Sequence, residues 1–312
     1  MLSRALAALI IALTAVAPAP VRAAEEPLTV RVAATANDTY AEAYYAEDRG
    51  EFRKAGLNVE LTTFANGASV AQAVVSGTVD IGISNVVQIG TAVEKGIPIR
   101  YFAGGGLYST DEPTSALAVA QNAPIRAAKD FEGQTIGVST LKDTSAIATQ
   151  IWLADHGADL TKIHFVEMPF TVMGASLARG TVAGAVISEP SLSAAKAAGA
   201  RIFAKSYDGI AGRFMISGWF TTQDFQKRNP QAVKRFTQVI YATAKWANAH
   251  RADSAKILVK YAKLDPAVVR DMARCQYAEN LDVKLIQPAL DAAAHYGALD
   301  RPIAAADIID AG

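Results

Sequence analysis

The sequence predicts an α/β protein of two similar lobes, each a doubly wound, mainly parallel sheet, joined by a hinge of two crossing strands. Three observations carry this. Short apolar runs that read as strands alternate with helical stretches, the pattern of a parallel sheet with helices on its faces. The order of those runs is written twice. The chain also passes between the halves twice, outward through 104–113 and back through 211–222, and two connections make a hinge. Two domains in tandem are the alternative, but the C-terminal tail holds no complete fold of its own.

Residues 28–33 form the first expected strand. Thr39 and Glu42 have the spacing of a capping box for a helix that ends before Gly50. A second strand covers 57–61, and a helix over 69–76 is closed by Gly77. The third strand, 79–83, runs into the polar pair Ser84-Asn85, where Asn85 caps a helix reaching Lys95 and closed by Gly96. Strands follow at 99–102 and 115–120, and the second copy covers 135–204. Beyond the return crossing, Asn229 reads as a cap with Pro230 at the first helical position, and three or four helices complete the chain.

The repeat is legible residue by residue. TVRVAATANDT (29–39) is answered by TIGVSTLKDT (135–144), and Gly50, Val59-Glu60 and Phe64 by Gly157, Val166-Glu167 and Phe170, at an offset of 106 or 107. Gly67-Ala68-Ser69 is answered by Gly174-Ala175-Ser176, still at 107. Gly77-Thr78-Val79 then meets Gly180-Thr181-Val182 at 103, and Gly96 meets Gly199 at 103. The loss of four residues between the triplets implies a helix of the second copy shortened by about one turn.

The N-terminus reads as a cleavable secretory signal. Arg4 precedes the apolar run 5–16, and Val21 and Ala23 are small residues two apart before an expected cleavage after Ala23, with Ala24 as the alternative. Removal of 23 residues from 312 leaves 289, enough for two lobes of ordinary size. The destination expected is the periplasm. Charge is balanced, 30 basic against 30 acidic residues, which points away from nucleic acid as a partner. Cys275 is the one cysteine, so no internal disulfide supports the fold. Four scattered histidines give no metal-site spacing. No GxSxG, HExxH or Walker loop is present, so no cofactor is expected.

In open parallel sheets ligands lie beyond the carboxyl ends of the strands. The loops leaving those ends offer Asn37, Asp38, Thr39, Tyr40, Asn66, Gly67, Ser84 and Asn85 from the first copy. The second offers Ser139, Thr140, Asp143, Thr144, Ser145, Met173, Gly174, Ser188 and Glu189, and Trp219 on the return strand completes the candidate ligand contacts. Several stand at helix N-termini, which favour an anionic or strongly polar ligand. Thr39, Thr144 and Asn85 also serve as plain helix caps, and Trp219 suits core packing. Asp38, Asp143 and Glu189 would repel an anion unless offset, with Lys142 and Arg213 as possible offsets. If Glu189 faces the cleft, a ligand with N–H donors is favoured instead.

YYAEDRGEFRKAGLNVEL, SGTVDIGISN and EKGIPIRYFA resemble the first lobe of periplasmic substrate-binding proteins of the nitrate/sulfonate/taurine class of ABC importers. Ala46, Gly50, Phe52, Gly56, Leu57 and Val59 meet one family pattern, and Gly77, Val79, Asp80 and Gly82 another. KDFEGQTIGV (129–138) resembles the entry to the second lobe, with Phe131 for Leu and Gln134 for Lys. The resemblance implies the two-lobed periplasmic binding protein fold of type II, with 24–110 and 213–312 as lobe one and 111–212 as lobe two. It implies capture of a small solute, a sulfonate, taurine or nitrate-like oxyanion or another polar organic molecule. Delivery would be to an inner-membrane permease with its ATPase, the receptor acting as a monomer without catalysis. Pyrimidine-binding relatives share the class, so a pyrimidine or aromatic carboxylate is the alternative ligand. Fungal enzymes of the class carry a Cys-rich motif that a chain with Cys275 alone lacks. An enzyme or a sensor on the same architecture is the other functional reading.

Overall fold

The computed structural model describes residues 26–270 and 272–310; the expected leader lies outside the described residues. The chain opens with β1 (Leu28–Ala34), α1 (Glu42–Asp48), α2 (Glu51–Lys54), β2 (Leu57–Thr63), α3 (Gly67–Val75), β3 (Ile81–Asn85), α4 (Val86–Glu94) and β4 (Ile99–Gly104). It crosses through β5 (Gly106–Ser109) into β6 (Ser115–Ala120), then β7 (Thr135–Val138), α5 (Thr144–Asp155), β8 (His164–Glu167), α6 (Phe170–Ala178), β9 (Gly184–Ser188), α7 (Ser191–Ala197) and β10 (Ala200–Ala204). It returns through β11 (Arg213–Met215) and β12 (Ser217–Thr222). The tail is α8 (Gln223–Arg228), α9 (Pro230–Ala249), α10 (Arg251–Ala262), α11 (Pro266–Arg270), β13 (Gln276–Tyr277) and α12 (Val283–His295).

Two five-stranded sheets share one topology. The first runs β2-β1-β3-β12-β4 and the second β8-β7-β9-β6-β10. In each, the strand that follows a crossing is inserted fourth and antiparallel to both neighbours, β12 between β3 and β4 and β6 between β9 and β10. The other pairings are parallel. The crossings lie side by side: Arg213 pairs with Ser109, and the Thr110 N–H donates to the Gly212 carbonyl at 3.0 Å. β13 joins the far edge of β5 to make a small third sheet.

Helices cover both faces of the first sheet. Tyr44, Phe52, Trp219 and Phe236 pack on one side, and Val70, Val74, Ile99 and Leu290 on the other. In α9 the buried residues Ala232, Val233, Phe236, Val239, Ile240, Thr243, Ala244 and Ala247 follow helical spacing, so one stripe of its 20 residues faces the sheet. The second sheet packs Phe131, Ile136, Val138 and Val186 against one helix layer and Met173, Leu177, Ile187 and Leu192 against the other.

The repeat is real, but its expected offset is corrected. The Asp80 N–H donates to the Arg31 carbonyl, and the Ala183 N–H donates to the Thr135 carbonyl. These equivalent pairs lie 103 and 104 residues apart. The helices α3 and α6 are both nine residues long, so no turn has been lost. The Gly-Ala-Ser triplets are not equivalent: Gly67 opens α3, whereas Gly174 is inside α6.

Three local expectations also change. Thr39 sits in a 3-10 turn, Asp38–Tyr40, and donates its hydroxyl to Asn37 Oδ1, so the capping box with Glu42 does not form. The third strand begins at Ile81 rather than 79 and includes Ser84 and Asn85. Asn229 makes no side-chain cap, although Pro230 does open α9. Its amide donates to the Phe225 carbonyl instead.

Candidate ligand-binding cleft

A cavity lies between the carboxyl ends of the two sheets. Thr35, Asn37, Thr39 and Tyr40 reach it after β1, Asn66 and Gly67 at the start of α3, and Asn85 at the end of β3. From the other side come Ser139, Asp143, Thr144 and Ser145 around the start of α5, Phe170 at the start of α6, Ser188 at the end of β9, and Tyr207. Ile216, between β11 and β12, closes the back. The lobes are nearly shut: the Asp38 N–H donates to the Glu189 carbonyl at 3.1 Å, and Thr144 Oγ1 donates to Asn85 Oδ1 at 3.4 Å. The cavity volume is about 20 Å³, room for about one water.

The polar residues are there because helices begin there. Asn85 Oδ1 accepts the Gln88 N–H at 3.0 Å and caps α4. Asn66 and Ser69 form a reciprocal capping box on α3. Asp143 Oδ1 accepts the N–H groups of Ser145 and Ala146 at 2.9 and 3.0 Å and the Ser145 hydroxyl at 2.7 Å, while Oδ2 accepts the Ser139 hydroxyl. Burial pushes the Asp143 carboxyl up from its ordinary value, and those hydrogen bonds hold it partly down. Burial also pushes the Tyr40 and Tyr207 hydroxyls far up, with the Asp143 charge adding to it, so both stay protonated. Among the described residues, no Lys, Arg, His or Cys lines the cavity.

Eleven sequence-predicted residues are brought together: Asn37, Thr39, Tyr40, Asn66, Gly67, Asn85, Ser139, Asp143, Thr144, Ser145 and Ser188. Seven are placed elsewhere. Asp38 is fully buried behind the cleft in an ion pair with Arg274 at 3.0 Å, and accepts the Cys275 N–H at 2.5 Å. Glu189 turns its carboxylate to the Ser193 N–H and hydroxyl, both at 2.9 Å, in the first turn of α7. Trp219 donates its indole N–H to Glu42 at 2.8 Å and packs on Phe236, deep in the core. Ser84 donates to the Gly67 carbonyl and to Gln88 Oε1, each at 2.9 Å, and so shapes the wall without lining it. Met173 is buried under the second sheet, Gly174 backs onto Ala195, and Thr140 lies outside the lining. The expected offsets Lys142 and Arg213 are both exposed to solvent.

Thr35, Phe170, Tyr207 and Ile216 are lining residues that strand-end reasoning passed over. Thr35 directly follows β1 and was within reach of that logic. Tyr207 sits in a 3-10 turn after β10, where no local signal points inward.

Comparison with known proteins agrees with this geometry. The taurine-binding periplasmic protein of Escherichia coli (strain K12) is 26% identical over 188 residues. That match covers 60% of this chain and 56% of the relative's length. The alkanesulfonate-binding protein SsuA from Xanthomonas axonopodis pv. citri, solved bound to MOPS, superposes with a TM-score of 0.75 at 19% identity, over 92% of this chain and 99% of that one. The periplasmic nitrate-binding protein NrtA from Synechocystis PCC 6803 gives a TM-score of 0.67 at 15% identity, over 79% and 70%. These likenesses show a periplasmic binding protein fold. The NMT1/THI5-like family model matches residues 37–254, and the chain belongs to that family.

Proposed function

We propose that this chain is the solute-binding component of an ABC importer. It captures a small polar solute in the cleft and presents it to an inner-membrane permease with its ATPase, from the periplasm. Lobe one is 24–110 with 213–312, lobe two is 111–212, and the side-by-side crossings are the hinge. The observation that supports this reading most directly is the cavity itself, built from polar strand-end residues of both sheets and bridged from one lobe to the other. The named relatives bind taurine, alkanesulfonates and nitrate, so compact sulfonates and their analogues are the first solutes to try.

The mechanism follows from the geometry. An open form exposes the strand ends, and the solute shifts the population toward closure by bonding to both sides at once. The shut cleft holds only about 20 Å³, so the bound state is slightly wider than this one. The lining favours binding over catalysis. Its carboxylate, Asp143, is engaged in capping α5, and among the described residues no histidine or cysteine lines the cavity beside it.

A thermal-shift screen over taurine, alkanesulfonates, nitrate, aromatic carboxylates and pyrimidines tests the proposal, because a solute that binds only the native state raises the melting temperature. A shift with at least one is expected, and none with any would count against the receptor reading. Asn85→Ala removes a cleft amide and a helix cap. It is expected to weaken the solute found by tenfold or more while costing about 1 kcal/mol of stability. Unchanged affinity would move the site elsewhere.

A further inference from the structure

We propose that the cleft selects solutes that present an N–H donor group, an ammonium or an amino group, to the carboxylate of Asp143, and rejects solutes whose only polar group is an anion. This deepens the receptor reading above and rests on it.

Charge is the first argument. The lining contains one carboxylate and, among the described residues, no Lys or Arg. Lys142 and Arg213 face solvent, and Arg274 behind the cleft is paired with Asp38. An oxyanion in this space would meet a buried negative group with no cation to offset it.

The helix ends are the second. Free N–H groups at helix N-termini hold anions in the absence of basic side chains. Here α3, α4 and α5 all begin at the cavity, and each already has first-turn N–H groups taken by its own cap, Asn66, Asn85 or Asp143. Of the helices starting at the cleft, α6 alone enters without a side-chain cap among those that contribute lining, and it puts Phe170 there.

Unused hydrogen-bonding capacity is the third. Asp143 Oδ1 accepts three hydrogen bonds, but Oδ2 accepts only that of Ser139. The carboxylate as a whole thus accepts four bonds, but each oxygen has about two acceptor sites, so Oδ2 keeps one open toward the cavity. Thr35 Oγ1, buried and lining the same cavity, has no partner at all. A buried hydroxyl without a partner is unusual in a native protein and marks a place where a ligand completes the bonding.

The test uses matched pairs by calorimetry: taurine against ethanesulfonate, 4-aminopyrimidine against pyrimidine, with nitrate as the bare anion. The amino member of at least one pair is expected to bind at least tenfold tighter than its partner, and nitrate not to bind. Asp143→Asn removes the charge and keeps an equally good cap for α5. It is expected to lose tenfold or more on the amino solute while the unliganded melting temperature holds. Thr35→Val is expected to weaken the same solute. Ethanesulfonate or nitrate binding as tightly as the amino solutes would overturn the inference and leave the receptor reading standing. Unchanged amino-solute affinity in a folded Asp143→Asn protein would do the same. If that variant does not fold, the wild-type pairs decide alone. Binding of none of the five would remove the receptor reading and this inference with it.

Discussion

Glu42 is read from sequence as half of a capping box and proves to be a fully buried acid. Its Oε2 accepts the Trp219 indole N–H at 2.8 Å, and its Oε1 has no partner. Burial pushes its carboxyl well above the ordinary value of 4.5, and the Trp219 bond only partly opposes this. A raised native value makes the neutral form the stabilising one. That stability is fully present below pH 4.5, the unfolded value, and is lost as pH rises toward the native value. Glu42→Gln keeps the shape and the indole bond but does not titrate. Wild type should lose about 1.4 kcal/mol per pH unit relative to this variant across that window. Melting temperatures of both from pH 4 to pH 9 check it, and parallel curves would show that Glu42 does not carry the buried proton. What sequence reading does at this scale is find polar residues at strand ends. What it misses is side-chain direction. Asp38, Glu189 and Trp219 have the right chain position and point away, because each meets a stronger partner in Arg274, Ser193 or Glu42.

At the scale of elements, the alternation of strands and helices was legible because each run keeps its own apolar period and most helices end at a glycine with positive φ, as at Gly77, Gly96, Gly180 and Gly199. The antiparallel insertion of β6 and β12 was not, since an apolar strand carries no mark of its direction. The repeat misled by its commonest residues. Gly-Ala-Ser occurs at the start of α3 and in the middle of α6, and matching the two implied a lost turn that the equal helices rule out. Gly67 has a role of its own there. A Cβ on it would stand 2.8 Å from Ser84 Oγ and 3.1 Å from Gln88 Oε1, and 3.4 Å from the Tyr40 hydroxyl. Gly67→Ala is therefore expected to push α3 off the end of β3, costing about 1 to 2 kcal/mol despite the better helix propensity of alanine. Solute affinity should fall with it. A variant that melts higher than wild type and binds as well would show that the Ser84 hydroxyl simply rotates aside.

Across the whole molecule, one network, buried at its centre, ties the C-terminal segment to the outward crossing and the cleft. Glu112, in the outward crossing, accepts hydrogen bonds from Arg251 Nη2 and the Arg274 N–H. Arg274 pairs with Asp38 and also donates to Tyr45 and Ser254, and its side chain is 8% exposed against 0% for Asp38. Asp38 in turn donates its own N–H across the cleft to Glu189. The Glu112–Arg251 pair is nearly half exposed and screened by solvent, so the strength of the network lies in the buried Arg274–Asp38 pair. Breaking such a pair from one side leaves a buried charge without its partner, at a cost of about 3 to 5 kcal/mol. Arg274→Met should lower stability by that amount, and it should also weaken solute binding, since the 37–40 loop that lines the cleft loses its anchor. Asp38→Asn added to Arg274→Met removes the orphaned charge and is expected to restore at least half of the lost stability. Denaturant unfolding of wild type, both single variants and the double variant measures the coupling. Single variants within 1 kcal/mol of wild type would mean that the pair holds nothing and the loop is positioned by Tyr277, whose hydroxyl also reaches the Asp38 carbonyl.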